Sequence, residues 1–253
     1  MPQIITFVSP KGGSGSTFIC AGVWHSLVKK SKKVLALDMS FEDCSLDFAL
    51  GFQSDYIYTM SDVCQDMCTL SEAVCSFGSG SFVRCDYEQQ DADVAHVMEI
   101  VKASDYDYVL VDLSCHCHMA ELVLKETDSL VVVCHALENA VRRTELWLDK
   151  YAVENTYVVI NKIIPAYIQS KIHLTADEVL DALCVKPLGF VPWSPWADVA
   201  LKQGMRWGPE DEALESAFSN ISSRIMGEYV PADEFKDIYK CFKLSKKFAV
   251  KND

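Results

Sequence analysis

The stretch that decides the fold is Gln3-Ile4-Ile5-Thr6-Phe7-Val8-Ser9-Pro10-Lys11-Gly12-Gly13-Ser14-Gly15-Ser16-Thr17. Gln3–Val8 is a β-branched, apolar run that predicts a strand. Residues 17–30 are compatible with a helix. Between them, closely spaced glycines let backbone N–H groups turn inward as an anion nest, and the helix N-terminus adds its positive end. Thr17 stands where a hydroxyl would ligate Mg²⁺. Strand, glycine-rich loop and helix in this order predict a phosphate cradle.

Outward from this stretch, further apolar runs recur at Val34–Leu37, Tyr108–Val111, Ser129–Cys134, Tyr157–Ile160 and Leu188–Val191. Most are continuously apolar rather than alternating, as in strands covered on both faces. Helix-compatible segments lie between them at about 17–30, 88–104, 118–126, 138–152, 175–184 and 209–227. The alternation predicts an α/β fold: a doubly wound, mostly parallel sheet with helices on both faces. A ligand crevice is then expected at the carboxyl ends of the strands. The expected division is one domain over residues 1–227 and a basic amphipathic tail over 228–253.

Charge sharpens that division. The 253 residues carry a formal −13, yet six Lys and two Asp give residues 236–253 a net +4, leaving −17 on residues 1–235. An acidic body argues against a nucleic-acid-coating role, because phosphate binding needs clustered Lys and Arg. No secretory signal opens the chain, and no apolar run approaches the roughly 20 residues of a membrane span. The 11 cysteines therefore read as free thiols in a reducing cytoplasm, mostly packed as small hydrophobes.

The loop departs twice from the P-loop pattern G-x-x-x-x-G-K-[ST]: Pro10 stands at the first glycine and Ser16 at the lysine, while Lys11 supplies an early lysine. It resembles the deviant Walker A loop of the MinD/ParA family of P-loop ATPases, a branch of the SIMIBI class. There the early lysine reaches across a nucleotide-sandwich dimer, which Lys11 matches and Ser16 does not. A serine at this second position also occurs in CpaE/TadZ-like members. The resemblance covers residues 3 to about 227. It implies ATP or ADP with Mg²⁺ as ligands, a homodimer, and nucleotide contacts from Lys11, Gly12, Gly13, Ser14, Gly15, Ser16, Thr17 and Phe18.

Leu37-Asp38-Met39-Ser40 resembles the family's first switch, D-x-D, with Ser40 in place of the second aspartate. Residues 46–51 and 56–63 are particularly MinD-like. Tyr108–Asp112 resembles a Walker B strand, whose carboxylate holds the Mg²⁺ water shell. Thr17, Asp38 and Asp112 are thus the expected metal set, direct or through water, with Lys11 and Asp38 as the expected catalytic pair. Val159-Ile160-Asn161-Lys162 resembles the element whose Asn reads the adenine edge; a strand-end Asn capping a turn is the other reading. Residues 190–204, Pro192 among them, resemble the stretch beside the adenine pocket.

These residues imply a nucleotide switch that positions a division, flagellar or pilus partner. Phosphoryl transfer is mostly positioning and charge neutralisation, so Ser16 and Ser40 predict weak hydrolysis. The alternative is a non-hydrolysing, CpaE/TadZ-like localisation scaffold. A remoter one is a metal or iron–sulfur redox protein built on Cys115-His116-Cys117-His118. In the tail, Phe235, Ile238, Tyr239 and Phe242 share one helical face. The segment 235–250 resembles the family's membrane-targeting helix, which implies a peripheral place at the inner face of the membrane; packing on the body or on a dimer partner is the other reading.

Overall fold

The computed structural model describes residues 1–40, 46–52, 57–85, 91–117, 119–151, 153–203 and 211–231. The apolar runs become strands β1 (Gln3–Val8), β2 (Val34–Met39), β5 (Tyr108–Leu113), β6 (Ser129–His135), β7 (Thr156–Ile163) and β8 (Lys186–Pro192), with β3 (Cys75–Phe77) and β4 (Gly80–Arg84) completing the sheet. The order across it is β3-β4-β2-β5-β1-β6-β7-β8. Every neighbouring pair is parallel except β3 with β4.

Eleven helices are described. They are α1 (Ser16–Lys29), α2 (Leu46–Leu50), α3 (Met60–Cys64), α4 (Leu70–Ala73), α5 (Asp91–Lys102), α6 (Ala120–Lys125), α7 (Glu138–Tyr151), α8 (Pro165–Gln169), α9 (Ala176–Leu183), α10 (Trp196–Gln203) and α11 (Glu212–Ile225). The six helix-compatible segments correspond to α1, α5, α6, α7, α9 and α11, each starting or ending within a few residues of expectation. Thr175 caps α9 reciprocally with Glu178, which stops the helix from fraying backwards.

Why the strands are apolar throughout is visible in their parity. Ile4 and Val8 of β1 enter one core, and Ile5 and Phe7 enter the other. In β2, Leu35, Leu37 and Met39 face the first core while Val34 and Ala36 face the second. The second core is roofed by α1, α2, α10 and α11. The tightest packing there uses absent side chains: a Cβ on Gly22 of α1 would lie 2.2 Å from the Phe218 ring of α11, and one on Gly189 of β8 would lie 2.3 Å from Ile221.

The hairpin β3–β4 was not expected from sequence. Trp24 of α1 lies over Gly80 and donates its indole N–H to the Ser81 carbonyl at 3.1 Å. A glycine at the start of β4 is what lets the indole approach. From β1 the chain passes to β2 on one side, while β6, β7 and β8 extend on the other. The order therefore reverses beside β1, and the crevice opens at the loop that follows it. The expected tail at 235–250 and residue 204, the last of the stretch 190–204, lie outside the described residues. Among the described residues no helix is long and apolar enough to cross a membrane.

Candidate functional site

The loop after β1 is held open by its own main chain. Gly13 and Gly15 adopt left-handed φ values of 78° and 96°, which glycine tolerates without the Cβ penalty. The Lys11 carbonyl collects three donors: the Ser9 hydroxyl at 2.9 Å, the Ser14 hydroxyl at 2.9 Å and the Ser14 N–H at 3.2 Å. A Cβ at Gly12 or Gly13 would meet nothing within 4 Å, so open space lies over this part of the loop. Helix α1 then begins at Gly15 with no side-chain cap bond and no acidic residue in its first turn. Its positive end is thus left available to an anion.

Two carboxylates lie under the loop. Parity places Asp38 and Asp112 on the α1 face, since Ala36 and Leu110 line the core there. The strands bring them side by side as register partners, and each is about 1% exposed. Asp38 Oδ1 accepts from the Ser40 N–H at 3.0 Å and from the Ser40 hydroxyl, and Oδ2 accepts from the Leu46 N–H at 3.1 Å. Asp112 Oδ2 accepts from Thr17 Oγ1 at 2.6 Å, while Oδ1 is buried with no partner among the described residues. Burial, then the Asp38 charge, pushes the Asp112 carboxyl up to about 7, against the pull of the Thr17 and Ser16 hydroxyls.

This arrangement fits a divalent cation. Buried carboxylates need a counter-charge, and no Lys or Arg among the described residues pairs with either one. Thr17 Oγ1, Asp38 and the unpartnered Asp112 Oδ1 are hard oxygen donors of the kind Mg²⁺ takes, directly or through water. The glycine nest above them fits the phosphates of a nucleotide.

The other expected residues take definite places. Phe18 is buried edge-on against Phe218, 5.6 Å between centroids, so what it offers the loop is main chain. Asn161 and Lys162, at the end of β7, reach back to the loop. Asn161 Nδ2 donates to the Ser14 carbonyl at 2.8 Å, its Oδ1 accepts from the Lys162 N–H at 2.8 Å, and Lys162 Nζ donates to the Gly13 carbonyl at 2.7 Å. Pro192 ends β8 opposite Ile163, and the next residue, Trp193, donates its N–H to the Ile163 carbonyl at 3.0 Å.

One residue at this edge was not singled out from sequence: His135, at the end of β6. Burial, then Lys162, His173 and Lys11, pushes its pKa down to about 4, so it is neutral at pH 7. Its place at a strand's carboxyl end was the available signal. Cys115, His116 and Cys117, the described members of the Cys115–His118 group, do not form a set that could hold a metal ion. Cys115 and Cys117 pack half-buried against the core, His116 is exposed, and His118 lies outside the described residues. Among the described residues no group of three or more His, Cys, Asp or Glu side chains is placed to hold a metal ion. No disulfide is recorded among the nine described cysteines.

The chain is 26% identical to the septum site-determining protein MinD of Helicobacter pylori, over 93% of this chain and 95% of that protein. Its fold matches the MinC:MinD cell division protein complex of Aquifex aeolicus with a TM-score of 0.82 at 23% identity, covering 90% of this chain and 97% of that one. The chain is thus similar in sequence and in fold to MinD proteins. Another similar fold, MinD of Pyrococcus horikoshii solved with Mg-ADP, superposes with a TM-score of 0.76 at 20% identity over 89% of this chain and 96% of that one. No family model matches the chain. The likeness spans nearly the whole length of these relatives.

Proposed function

We propose that the protein is an ATP- and Mg²⁺-binding switch that dimerises around nucleotide and positions a partner of the division, flagellar or pilus machinery, with weak hydrolysis. The observation that carries this reading is the junction under the loop: Thr17 Oγ1 on the buried Asp112 carboxylate, beside Asp38, beneath an uncapped helix start. The relatives' names support the class of role, since MinD proteins are described as septum site-determining and one was solved with MinC.

Each residue has a task in this reading. The loop N–H groups and the start of α1 bind the β- and γ-phosphates. Thr17, Asp38 and Asp112 hold Mg²⁺, which supplies charge neutralisation on the phosphates when bound. Lys11 reaches the phosphates of a second protomer. Ser16 offers one neutral hydrogen bond where a lysine would offer a charge-assisted one, and Ser40 spends its hydroxyl on Asp38 instead of orienting water. The same two observations favour a second reading, a localisation scaffold that binds nucleotide without turning it over.

Phosphate release from Mg-ATP, together with the mass of the protein in solution with and without ATP, tests the proposal. Slow release with an ATP-dependent dimer supports the switch; a dimer with no release supports the scaffold. A monomer that binds no nucleotide refutes both. The tail at 235–250 is assigned to peripheral contact with an anionic membrane on the cytoplasmic side, as a module separate from residues 1–227. Co-sedimentation with anionic vesicles is expected for the full chain and not for a 1–230 truncation. Equal sedimentation of the two ends that assignment.

A further inference from the structure

We infer that the cavity between α1 and α11 binds a small phosphomonoester, at a site separate from the phosphate loop.

The cavity lies beside Gly22 of α1, where the helix has no side chain and the Phe218 ring of α11 comes close. Its volume is about 140 Å³. Ser26 and Ser219 line it, and Lys29 and Glu215, each at least half exposed, stand at its mouth with Lys30. Two helices that only packed on each other would meet through apolar residues. Here they meet through hydroxyls. Ser26 is 8% exposed, and its hydroxyl makes no hydrogen bond among the described residues. Ser222, one turn beyond Ser219 on the same face of α11, is fully buried, and its hydroxyl has no partner either. Buried hydroxyls are nearly always bonded, and each exception calls for an explanation.

Charge and donor count indicate what fits. Residues 1–235 carry a net −17, yet two ammonium groups face one carboxylate at this cavity. Lys29 Nζ lies 2.6 Å from Glu215 Oε1, and Lys30 Nζ donates to Ser223 Oγ at 3.0 Å. Each of these bonds uses one of the three donors of its ammonium. The remaining N–H donors and the Ser26 and Ser219 hydroxyls outnumber the acceptors left on Glu215. A ligand rich in acceptors and negative in charge meets that surplus, and a phosphate offers both through its terminal oxygens. An amine or a bare cation meets the two lysines instead. The Phe218 ring beside Gly22 gives the carbon chain of an ester an apolar floor.

The site is remote from the loop. Ser26 stands ten residues along α1 from Ser16, about 15 Å at the helical rise. Two sources carry the same chemistry: a soluble phosphomonoester, and the headgroup of phosphatidic acid in a membrane.

Titration calorimetry of the full chain with glycerol 3-phosphate, in saturating Mg-ADP so that the loop is filled, tests the soluble source. Flotation with phosphatidylcholine vesicles, with and without phosphatidic acid, tests the lipid source. Ser26→Ala removes one donor with little change of volume and is expected to weaken binding about tenfold. Its melting temperature without ligand should not fall, because the hydroxyl has no bond to lose. Lys30→Met is a second variant with a loss of the same order. Glu215→Gln removes the competing carboxylate and releases Lys29, so binding should tighten about threefold. A merely structural role for the Lys29–Glu215 pair predicts no such gain.

This pattern with glycerol 3-phosphate assigns the soluble ester, and the same pattern confined to phosphatidic-acid vesicles assigns the headgroup. Either result supports the site. Binding of neither probe means that the cavity holds water only, and overturns it. Binding that is equal in wild type, Ser26→Ala and Glu215→Gln also overturns it, since the anion then sits elsewhere. Failure of Mg-ADP to bind would strike the nucleotide reading and leave the readout at Ser26 and Glu215 intact.

Discussion

Asp112→Asn should make the ligand-free protein more stable at pH 8 and abolish its stabilisation by nucleotide. In the native state the Asp112 carboxyl is pushed up to about 7, from an ordinary value of 3.8. A carboxyl whose folded value is raised contributes stability that is present below about pH 4 and is lost as pH rises through about 7. Converted to free energy, that displacement is worth at most about 4 kcal/mol at high pH. Structural relaxation around the buried charge brings the expected effect to about 2 kcal/mol.

The asparagine carries no charge to desolvate, and its carbonyl keeps the Thr17 hydroxyl bond. Its amide stands where Oδ1 has no partner, which costs about 1 kcal/mol at every pH. At pH 5 the variant should thus be slightly less stable than wild type. At pH 8.5 it should be more stable, with a melting temperature higher by roughly 2–4 °C for a chain of this size. His25 and His135, both pushed down to about 4, destabilise either protein below pH 6.5 and cancel in the difference. With Mg-ADP at 100 times its dissociation constant, wild type gains about 2.7 kcal/mol and the variant gains much less, so the order reverses. Melting curves from pH 5 to 8.5, with and without Mg-ADP, measure this. A variant less stable than wild type by the same margin at both ends of that range refutes the reasoning.

Ser16→Lys combined with Ser40→Asp restores the residues that the family carries at both positions. Phosphate release from Mg-ATP is expected to rise at least tenfold if the rest of the site is competent, and unchanged turnover would assign the weak activity elsewhere. Gly22→Ala drives a methyl into the Phe218 ring; overpacking of about 1–3 kcal/mol outweighs the roughly 1 kcal/mol gained in helix propensity. The melting temperature should fall by a few degrees, and a rise would show that α11 shifts freely away from α1.

The architecture was legible wherever a pattern repeated. Continuous apolar runs marked the six long parallel strands because both faces of each are buried, and the helices long enough to show a period were found. The short helices α2, α3, α4, α8 and α10 span 4 to 8 residues and were missed; α6 and α9, six and eight residues long, fall inside the wider helix-compatible segments 118–126 and 175–184. The β3–β4 edge was missed because strands of three and five residues around Gly78 and Gly80 read as a polar loop. In the site, Asp38 and Asp112 follow from motif positions near strand ends and Thr17 from the first turn of the helix after the loop, and the structure brings those three together. The hydrogen bond from Asn161 to Ser14 joins residues 147 apart in sequence. Which way a side-chain amide turns at such a junction is settled by the left-handed turns of Gly15 and Lys162, and no local pattern announces them.

The charge balance under the loop leads to a last prediction. Two neighbouring carboxylates buried together can be compensated by a lysine, a proton or a divalent cation. The chain has Ser16 where the first would stand. A carboxyl on Asp112 pushed up to about 7 means that the second is in place below neutrality. The third then competes with the second, since a metal binds the deprotonated carboxylate. Binding of Mg-ADP at pH 6 should therefore release protons beyond what the nucleotide itself releases, up to about one per site, and at pH 8.5 close to none. Calorimetric enthalpies in buffers of different ionisation heat count that proton, and Asp112→Asn should abolish it. Equal enthalpies across buffers at pH 6, corrected for the nucleotide, would mean that the cation never meets the Asp112 carboxyl, and the assignment of that residue to the Mg²⁺ set would be withdrawn.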